Sequence, residues 1–166
     1  MKDFKGKKIL LILPHSTVSD TSIKATLENA GAIVDSYDER PDSTVLTKII
    51  LKLNRDLIAW KINKYHCSLI RKTKSIDYDI IFFMKCESFS RKNLLILKSD
   101  HPNANMVLYL ADSFKNNPNA LHKIDVFDSV YSFDRSDCEQ YGINFRPLFY
   151  YDFYTKITKP SNTKNI

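Results

Sequence analysis

The chain has 166 residues and a formal net charge of +6; 43% of its residues are hydrophobic and 27% are charged. This composition is typical of a globular protein and excludes a disordered chain, and no apolar run is long enough to span a bilayer. The length predicts one domain, residues 1–154, followed by a polar tail, residues 155–166, with little to bury.

The N-terminus indicates a cytoplasmic protein. It is basic and then apolar, but the apolar run ends at Leu13 and Pro14 follows, which is too short for a signal peptide. Three widely separated cysteines, with no C-x-x-C pair, predict reduced thiols rather than disulfides or a zinc site.

The first 38 residues predict a strand, a helix and a second strand. Residues 7–13 form the continuous apolar run expected of a strand buried on both faces. A helix follows with Ile23 and Leu27 on one face, and Gly31 closes it before a strand at residues 32–38. This spacing predicts a right-handed parallel crossover.

A long basic helix, straight or bent, is predicted from Ser43 to Lys74, where glycine and proline are absent and apolar residues recur at helical spacing. Its polar face is either an ordinary solvated face or a surface that lies against anionic lipid, with Trp60 and Tyr65 beside the lysines. It carries no recognised nucleic-acid-binding motif, so no nucleic-acid partner is expected.

The rest of the chain continues the alternation of strands and helices. Further strands are predicted at residues 77–84, 106–110, 126–131 and 143–150. Ser88 is the expected N-cap of the helix after the third strand, and a short helix from Asp134 is closed by Gly142. Pro147 suits an edge strand. The order predicts an α/β fold: a single Rossmann-like, doubly wound, mainly parallel sheet.

Several common functions of such sheets are excluded. With only three glycines, the chain has neither G-x-G-x-x-G nor a P-loop nor a G-x-S-x-G nucleophile elbow. A phosphorelay receiver would need acidic residues where His15 and Lys85 follow their strands. Asp77 and Asp79 resemble a metal-binding pair, but they precede their strand and fall on the wrong edge, so no metal site is expected.

Two residues at the carboxyl ends of the strands are candidates for catalysis. His15 follows the first strand and is a candidate general base for a sugar hydroxyl; a turn cap or a solvent-facing side chain is the alternative. Asp112 follows the fourth strand and is the second candidate base. Carboxyl ends of parallel strands share one edge, where open α/β sheets bind ligands.

Four further residues are predicted to bind a polar substrate at this edge: Glu87, Ser113, Asn116 and Asp134. Strand-end carboxylates also cap the helix that follows, and for Asp134 capping is the favoured role. The prediction is therefore a polar recognition edge rather than a complete catalytic centre.

Three segments resemble a known family. They are LYLADSFKNNP at residues 108–118, FDSVYSFDRSD at 127–137 and YGINFRPLFY at 141–150. Together they resemble the amino-terminal half of bacterial glycosyltransferase-like proteins from capsule, exopolysaccharide and lipopolysaccharide gene clusters, which are similar to spore-maturation-type glycosyltransferases. The family often has tryptophan where this chain has Ala111, which removes an aromatic stacking surface.

The resemblance implies a two-domain enzyme of the GT-B type, in which the amino-terminal domain faces the acceptor and a second domain holds the nucleotide sugar. The chain is expected to supply only the acceptor-side half. No cofactor is then expected in this chain, and its partner would be a glycan acceptor or a second glycosyltransferase domain. Activity of the chain alone is left open. The alternative is a non-catalytic interaction module that docks on a membrane surface, peripheral to the inner membrane, or on a polysaccharide-assembly partner.

Overall fold

Six parallel strands form one sheet in the computed structural model, which describes residues 4–15, 19–41 and 59–148. The strands are β1 (Lys8–Leu13), β2 (Ile33–Asp38), β3 (Ile80–Met84), β4 (Asn105–Leu110), β5 (Ser129–Ser132) and β6 (Asn144–Phe145). Their spatial order is β2-β1-β3-β4-β5-β6, and every neighbouring pair is parallel. The predicted α/β doubly wound sheet is confirmed.

Helices cover both faces of this sheet. They are α1 (Ser19–Asn29), α2 (Ala59–Thr73), α3 (Arg91–Asp100), α4 (Pro118–Leu121) and α5 (Arg135–Tyr141), with a 3₁₀ turn at Ile124–Val126. Alternate residues of β1 enter different cores. Leu10 and Ile12 belong to the larger core, with Leu69 of α2 and Leu94 of α3, whereas Leu11 packs on the other face. Strand β1 is therefore buried on both faces, as its continuous apolar sequence predicts.

Local signals end the helices as expected. Gly31 follows α1 at φ +92°, and a Cβ added there would lie 2.9 Å from the Cα of Lys5, so a larger residue would clash with backbone. The Asp134 carboxylate accepts hydrogen bonds from the backbone N–H groups of Ser136 and Asp137, and Gly142 closes α5 in the left-handed conformation.

Several sequence predictions of local structure are wrong. The third strand begins at Ile80 rather than residue 77, and the last strand, predicted at residues 143–150, ends at Phe145. Ser90, not Ser88, caps α3: its Oγ accepts from Asn93 N at 3.1 Å, while Ser88 is buried and its Oγ donates to Glu39 O at 2.7 Å. The fifth strand begins at Ser129 rather than residue 126, because the preceding residues form the 3₁₀ turn.

Two aspartates at the amino edge of the sheet hold neighbouring strands in register. Asp79 accepts from Lys8 N at 2.9 Å and from Lys7 Nζ at 2.6 Å, bridging the starts of β3 and β1. Asp128 accepts from Met106 N at 2.8 Å and from Lys98 Nζ at 2.7 Å, bridging β5 and β4. The Asp77-x-Asp79 pair thus lies on the amino edge, as expected, and Asp79 has a structural role.

Some predictions fall on residues outside the described ranges. These are the first part of the long helix, residues 43–58, the last two residues of the strand predicted at 143–150, and the tail 155–166. Within the described ranges, no helix is both long enough and apolar enough to cross a membrane.

Candidate functional site

The strand order places a topological switch point between β1 and β3 at the carboxyl edge of the sheet. The chain passes from β1 to β2 on one side and from β2 back to β3 on the other side of β1. The loops after β1 and β3 therefore lead away in opposite directions, and the gap between such loops is where open α/β sheets bind ligands.

The loop after β3, which borders this switch point, begins with two residues in an unfavourable backbone conformation. Lys85 has φ +77° and Cys86 has φ +51°, and neither is glycine. A left-handed non-glycine residue costs about 1–3 kcal/mol and persists only where surrounding contacts hold it. Here Lys85 N donates to Tyr109 O at 3.1 Å, and Asn117 Nδ2 donates to Lys85 O at 2.7 Å.

An ion pair links the carboxyl ends of β3 and β4, next to the switch point between β1 and β3. Lys85 Nζ lies 2.6 Å from Asp112 Oδ2, and the two side chains are 34% and 38% exposed. Both groups can therefore still meet a ligand from solvent. Asn116 is exposed on the adjoining turn, which Ser113 begins by accepting with its carbonyl from Asn116 N at 2.9 Å.

A buried lysine supports the loop from beneath. Lys123, 5% exposed, donates its ammonium to Cys86 O at 2.7 Å and to Phe89 O at 2.9 Å. Because Lys123 follows β4 and α4, it ties the loop after β3 to the next segment of the sheet. The left-handed turn at Lys85 and Cys86 is thus stabilised by two side chains, because Asn117 donates to Lys85 O and Lys123 donates to Cys86 O.

A buried carboxylate also holds the loop after β3 in place. Glu39 follows β2, is fully buried, and accepts from Ser88 N through Oε1. Burial raises the pKa of Glu39, and the Ser88 N–H and the charge of Lys123 oppose this only in part. Its Oε2 is buried and has no hydrogen-bond partner in the described part of the chain. Nearby Glu87 also raises the pKa of Glu39.

A histidine and a serine lie beside Glu39 but do not form a hydrolytic triad. His66 Nε2 is 2.8 Å from Glu39 O and 3.5 Å from Ser88 Oγ, and the His66 ring stacks on Phe89 with centroids 3.7 Å apart. His66 is 0% and Ser88 2% exposed, so no substrate reaches them. This cluster shapes the loop rather than reacting.

The two predicted catalytic residues do not meet. His15 is exposed after β1, whereas Asp112 follows β4 and is bound by Lys85. Because β3 lies between these strands, the two strand ends are about 10 Å apart. Their catalytic roles stay predictions, and the structure gives Asp112 a cationic partner that the sequence analysis does not.

The predicted binding residues are placed differently from one another. Asn116 and Ser113 share the turn next to Asp112, and Glu87 is half-buried close to Glu39. Asp134 caps α5, the role favoured from the sequence.

Sequence reasoning misses Lys85, Asn117, Lys123 and Glu39 as parts of the site. Lys85 directly follows an apolar strand, which is the one available signal. The others act through partners at least 32 residues away in the chain, and no local pattern reports such contacts. In the described ranges, no group of three or more histidine, cysteine or acidic side chains is arranged to hold a metal ion.

Comparison with known proteins does not identify a family. No family model matches the chain, and no curated protein matches it. Among solved structures, it is similar to a protein of Burkholderia pseudomallei described as a putative pilus assembly-related protein. The identity is 13% and the TM-score 0.43, over 83% of this chain and 88% of the other. This similarity is too weak to carry any argument about function.

Proposed function

We propose that this chain is the acceptor-side domain of a glycosyltransferase-like protein of bacterial surface-polysaccharide biosynthesis, and that it binds a glycan at the carboxyl edge of its sheet. The observation that carries this proposal is the partly exposed Lys85–Asp112 ion pair beside exposed Asn116. It stands at the edge where this class of sheet binds ligands.

The chemistry of the ion pair suits sugar hydroxyls. A hydroxyl both donates and accepts hydrogen bonds, so it can bridge the Asp112 carboxylate and the Lys85 ammonium. The amide of Asn116 offers two further N–H donors and one acceptor oxygen nearby. With its carboxylate engaged by Lys85, Asp112 would orient an acceptor hydroxyl rather than remove its proton. A second domain would handle the nucleotide diphosphate.

Titration of the ¹⁵N-labelled chain, followed by NMR, tests the site. We expect fragments of bacterial surface polysaccharides to shift amide signals of residues 85–87 and 111–117, and nucleotide sugars to leave these signals unchanged. Asp112→Asn should weaken oligosaccharide binding about tenfold or more, since it replaces a charged acceptor by a neutral amide and removes the ion pair with Lys85. Asp125→Asn, at an exposed carboxylate paired with Arg91, is the matched control and should bind normally.

Two outcomes would contradict the proposal. One is a set of shifts at these amides caused by nucleotide sugars and not by oligosaccharides. The other is sugar transfer from a nucleotide donor by the purified chain alone, which would show that no second domain is needed.

A further inference from the structure

The outer faces of α2 and α3 form one continuous surface. Asn93 Nδ2 donates to Asn63 Oδ1 at 3.2 Å near the start of both helices, and Lys74 Nζ is 2.9 Å from Asp100 Oδ1 just past the end of α2 and at the end of α3. The two helices therefore run side by side in the same direction. The term two-helix surface refers below to their exposed outer residues.

This surface is basic. Its exposed basic side chains are Lys61, Lys64, Arg71, Lys72, Arg91 and Lys92. Helix α2 contains no acidic residue, and the one acidic residue of α3, Asp100, is paired with Lys74 and only 14% exposed at its side chain. From outside the two helices, the exposed carboxylate of Asp125 pairs with Arg91, so the positive charge of the surface comes mainly from the other five basic side chains.

The same surface exposes large apolar side chains between the charges. Trp60 is 69% exposed, Leu95 48% and Ile96 39%. On α2, Trp60 shares a helical stripe with Lys64 and Arg71, next to the side that contacts α3. On α3, Leu95 and Ile96 line a shallow depression together with Lys92. Exposed apolar side chains that lie together are typical of interaction surfaces, and Leu95 and Ile96 are adjacent on α3.

We propose that the two-helix surface docks on an anionic lipid bilayer, with Trp60, Leu95 and Ile96 entering the headgroup region and the basic side chains contacting lipid phosphates. Tryptophan favours the membrane interface, and long basic side chains extend from apolar surroundings toward phosphate. The sequence suggests a lipid-facing surface only on the long basic helix, and the proposal adds α3 to it. It does not depend on the sugar-transfer proposal, because no residue of the carboxyl edge takes part.

Trp60 is the only tryptophan of the chain, so its fluorescence reports directly on this surface. We expect its emission to shift to shorter wavelength on addition of mixed phosphatidylcholine and phosphatidylglycerol vesicles, but not of pure phosphatidylcholine vesicles. Binding should weaken in high salt, which screens the charges. The neutralised variant Lys64→Gln/Arg71→Gln should bind about 30-fold more weakly.

Matched controls separate a specific surface from general adsorption. Lys115→Gln/Arg146→Gln removes the same net charge from exposed positions outside both helices and should bind as the unmodified protein does. Leu95→Ser should weaken binding about tenfold, whereas Leu148→Ser, at a side chain 51% exposed elsewhere, should not. Circular dichroism checks that each variant is folded.

Three results would overturn the proposal. The first is an unchanged Trp60 emission with anionic vesicles. The second is an equal loss of binding in the two charge-neutralised variants. The third is a shift of Trp60 emission with an acidic polypeptide such as polyglutamate and none with vesicles, which would assign the surface to an acidic protein.

Discussion

The two edges of the sheet use carboxylates in opposite ways. At the amino edge, Asp79 and Asp128 each accept a backbone N–H from a neighbouring strand and pair with a lysine that reaches solvent. At the carboxyl edge, Glu39 is fully buried and Lys123 almost so. The amino edge thus fixes strand register at small desolvation cost, whereas the carboxyl edge buries charge to hold a strained loop.

The pKa values of these groups shift in opposite directions. The hydrogen bond from Lys7 lowers the pKa of Asp79. Partial burial acts to raise the pKa of Asp128, but the bonds from Lys98 and Met106 N outweigh it and the net pKa is lowered. Burial raises the pKa of Glu39. The edge that binds ligands in this class of sheet is therefore the edge where the chain tolerates electrostatic cost.

The largest expected effect is the difference in stability loss between two lysine-to-methionine variants, one at each edge of the sheet. Lys123→Met should lower the free energy of unfolding by about 3–5 kcal/mol, because it removes the ammonium that donates to the Cys86 and Phe89 carbonyls and whose charge acts on Glu39. Lys98→Met should cost only about 1 kcal/mol, since the Lys98 and Asp128 side chains are 38% and 40% exposed and Asp128 keeps access to water. Urea unfolding measures both.

Similar losses for the two variants would remove the distinction between the edges. A small loss for Lys123→Met with unchanged cooperativity would mean that the loop after β3 does not depend on the buried ammonium. A second readout is the susceptibility of that loop to limited proteolysis, which should rise in Lys123→Met only.

The sheet could be predicted from the sequence because its signals are local. Continuous apolar runs mark β1, β3 and β4, and Gly31 and Gly142 mark the ends of helices. The errors lie where a distant partner decides the outcome. Ser88 has the right residue type for an N-cap, but its hydroxyl and N–H are taken by Glu39, 49 residues earlier in the chain.

The sequence predicts at which edge of the sheet the candidate site lies, but not which side chains contact each other there. The strand ends predict the position of Asp112, Ser113 and Asn116, and these residues do lie together at the carboxyl edge. The pairing of Asp112 with Lys85 requires β3 and β4 to be neighbours, which depends on the strand order. Apolar periodicity locates strands without ordering them, so the partner of Asp112 could not be read from the sequence.

The second effect is the way in which the contribution of Glu39 to folding stability changes with pH. Between the ordinary glutamate pKa of 4.5 and the raised pKa of Glu39, the folded protein binds more protons at this group than the unfolded chain does. The contribution of Glu39 to stability is therefore present below pH 4.5 and is lost as pH rises through the folded pKa. Relative to the unmodified protein, Glu39→Gln should become progressively more stable over this range.

The isosteric control at the amino edge should behave oppositely. The pKa of Asp128 is lowered from 3.8, so its contribution is present above that pH and is lost on acidification. Asp128→Asn should accordingly be destabilising near neutral pH and nearly neutral in acid. Unfolding free energies measured by urea across the pH range test both, and a constant difference at either position would contradict the assigned environment.

The smallest effect isolates the strain at Lys85. Lys85→Gly and Lys85→Ala both remove the ion pair to Asp112, but only glycine adopts φ +77° without cost. The glycine variant should be more stable than the alanine variant by about 1 kcal/mol. At Lys115, exposed and without positive φ, the order should reverse by about 0.5 kcal/mol, because glycine loses more backbone entropy on folding.

Ligand binding by the same variants connects this strain to function. If the left-handed turn serves to present the Lys85 ammonium beside Asp112, Lys85→Gly should bind oligosaccharide as weakly as Lys85→Ala does, although it is the more stable of the two. Stability and binding would then be separated at one residue. Retained binding in both variants would mean that the strained turn positions the backbone of the β3 loop, and that the ammonium has no part in recognition.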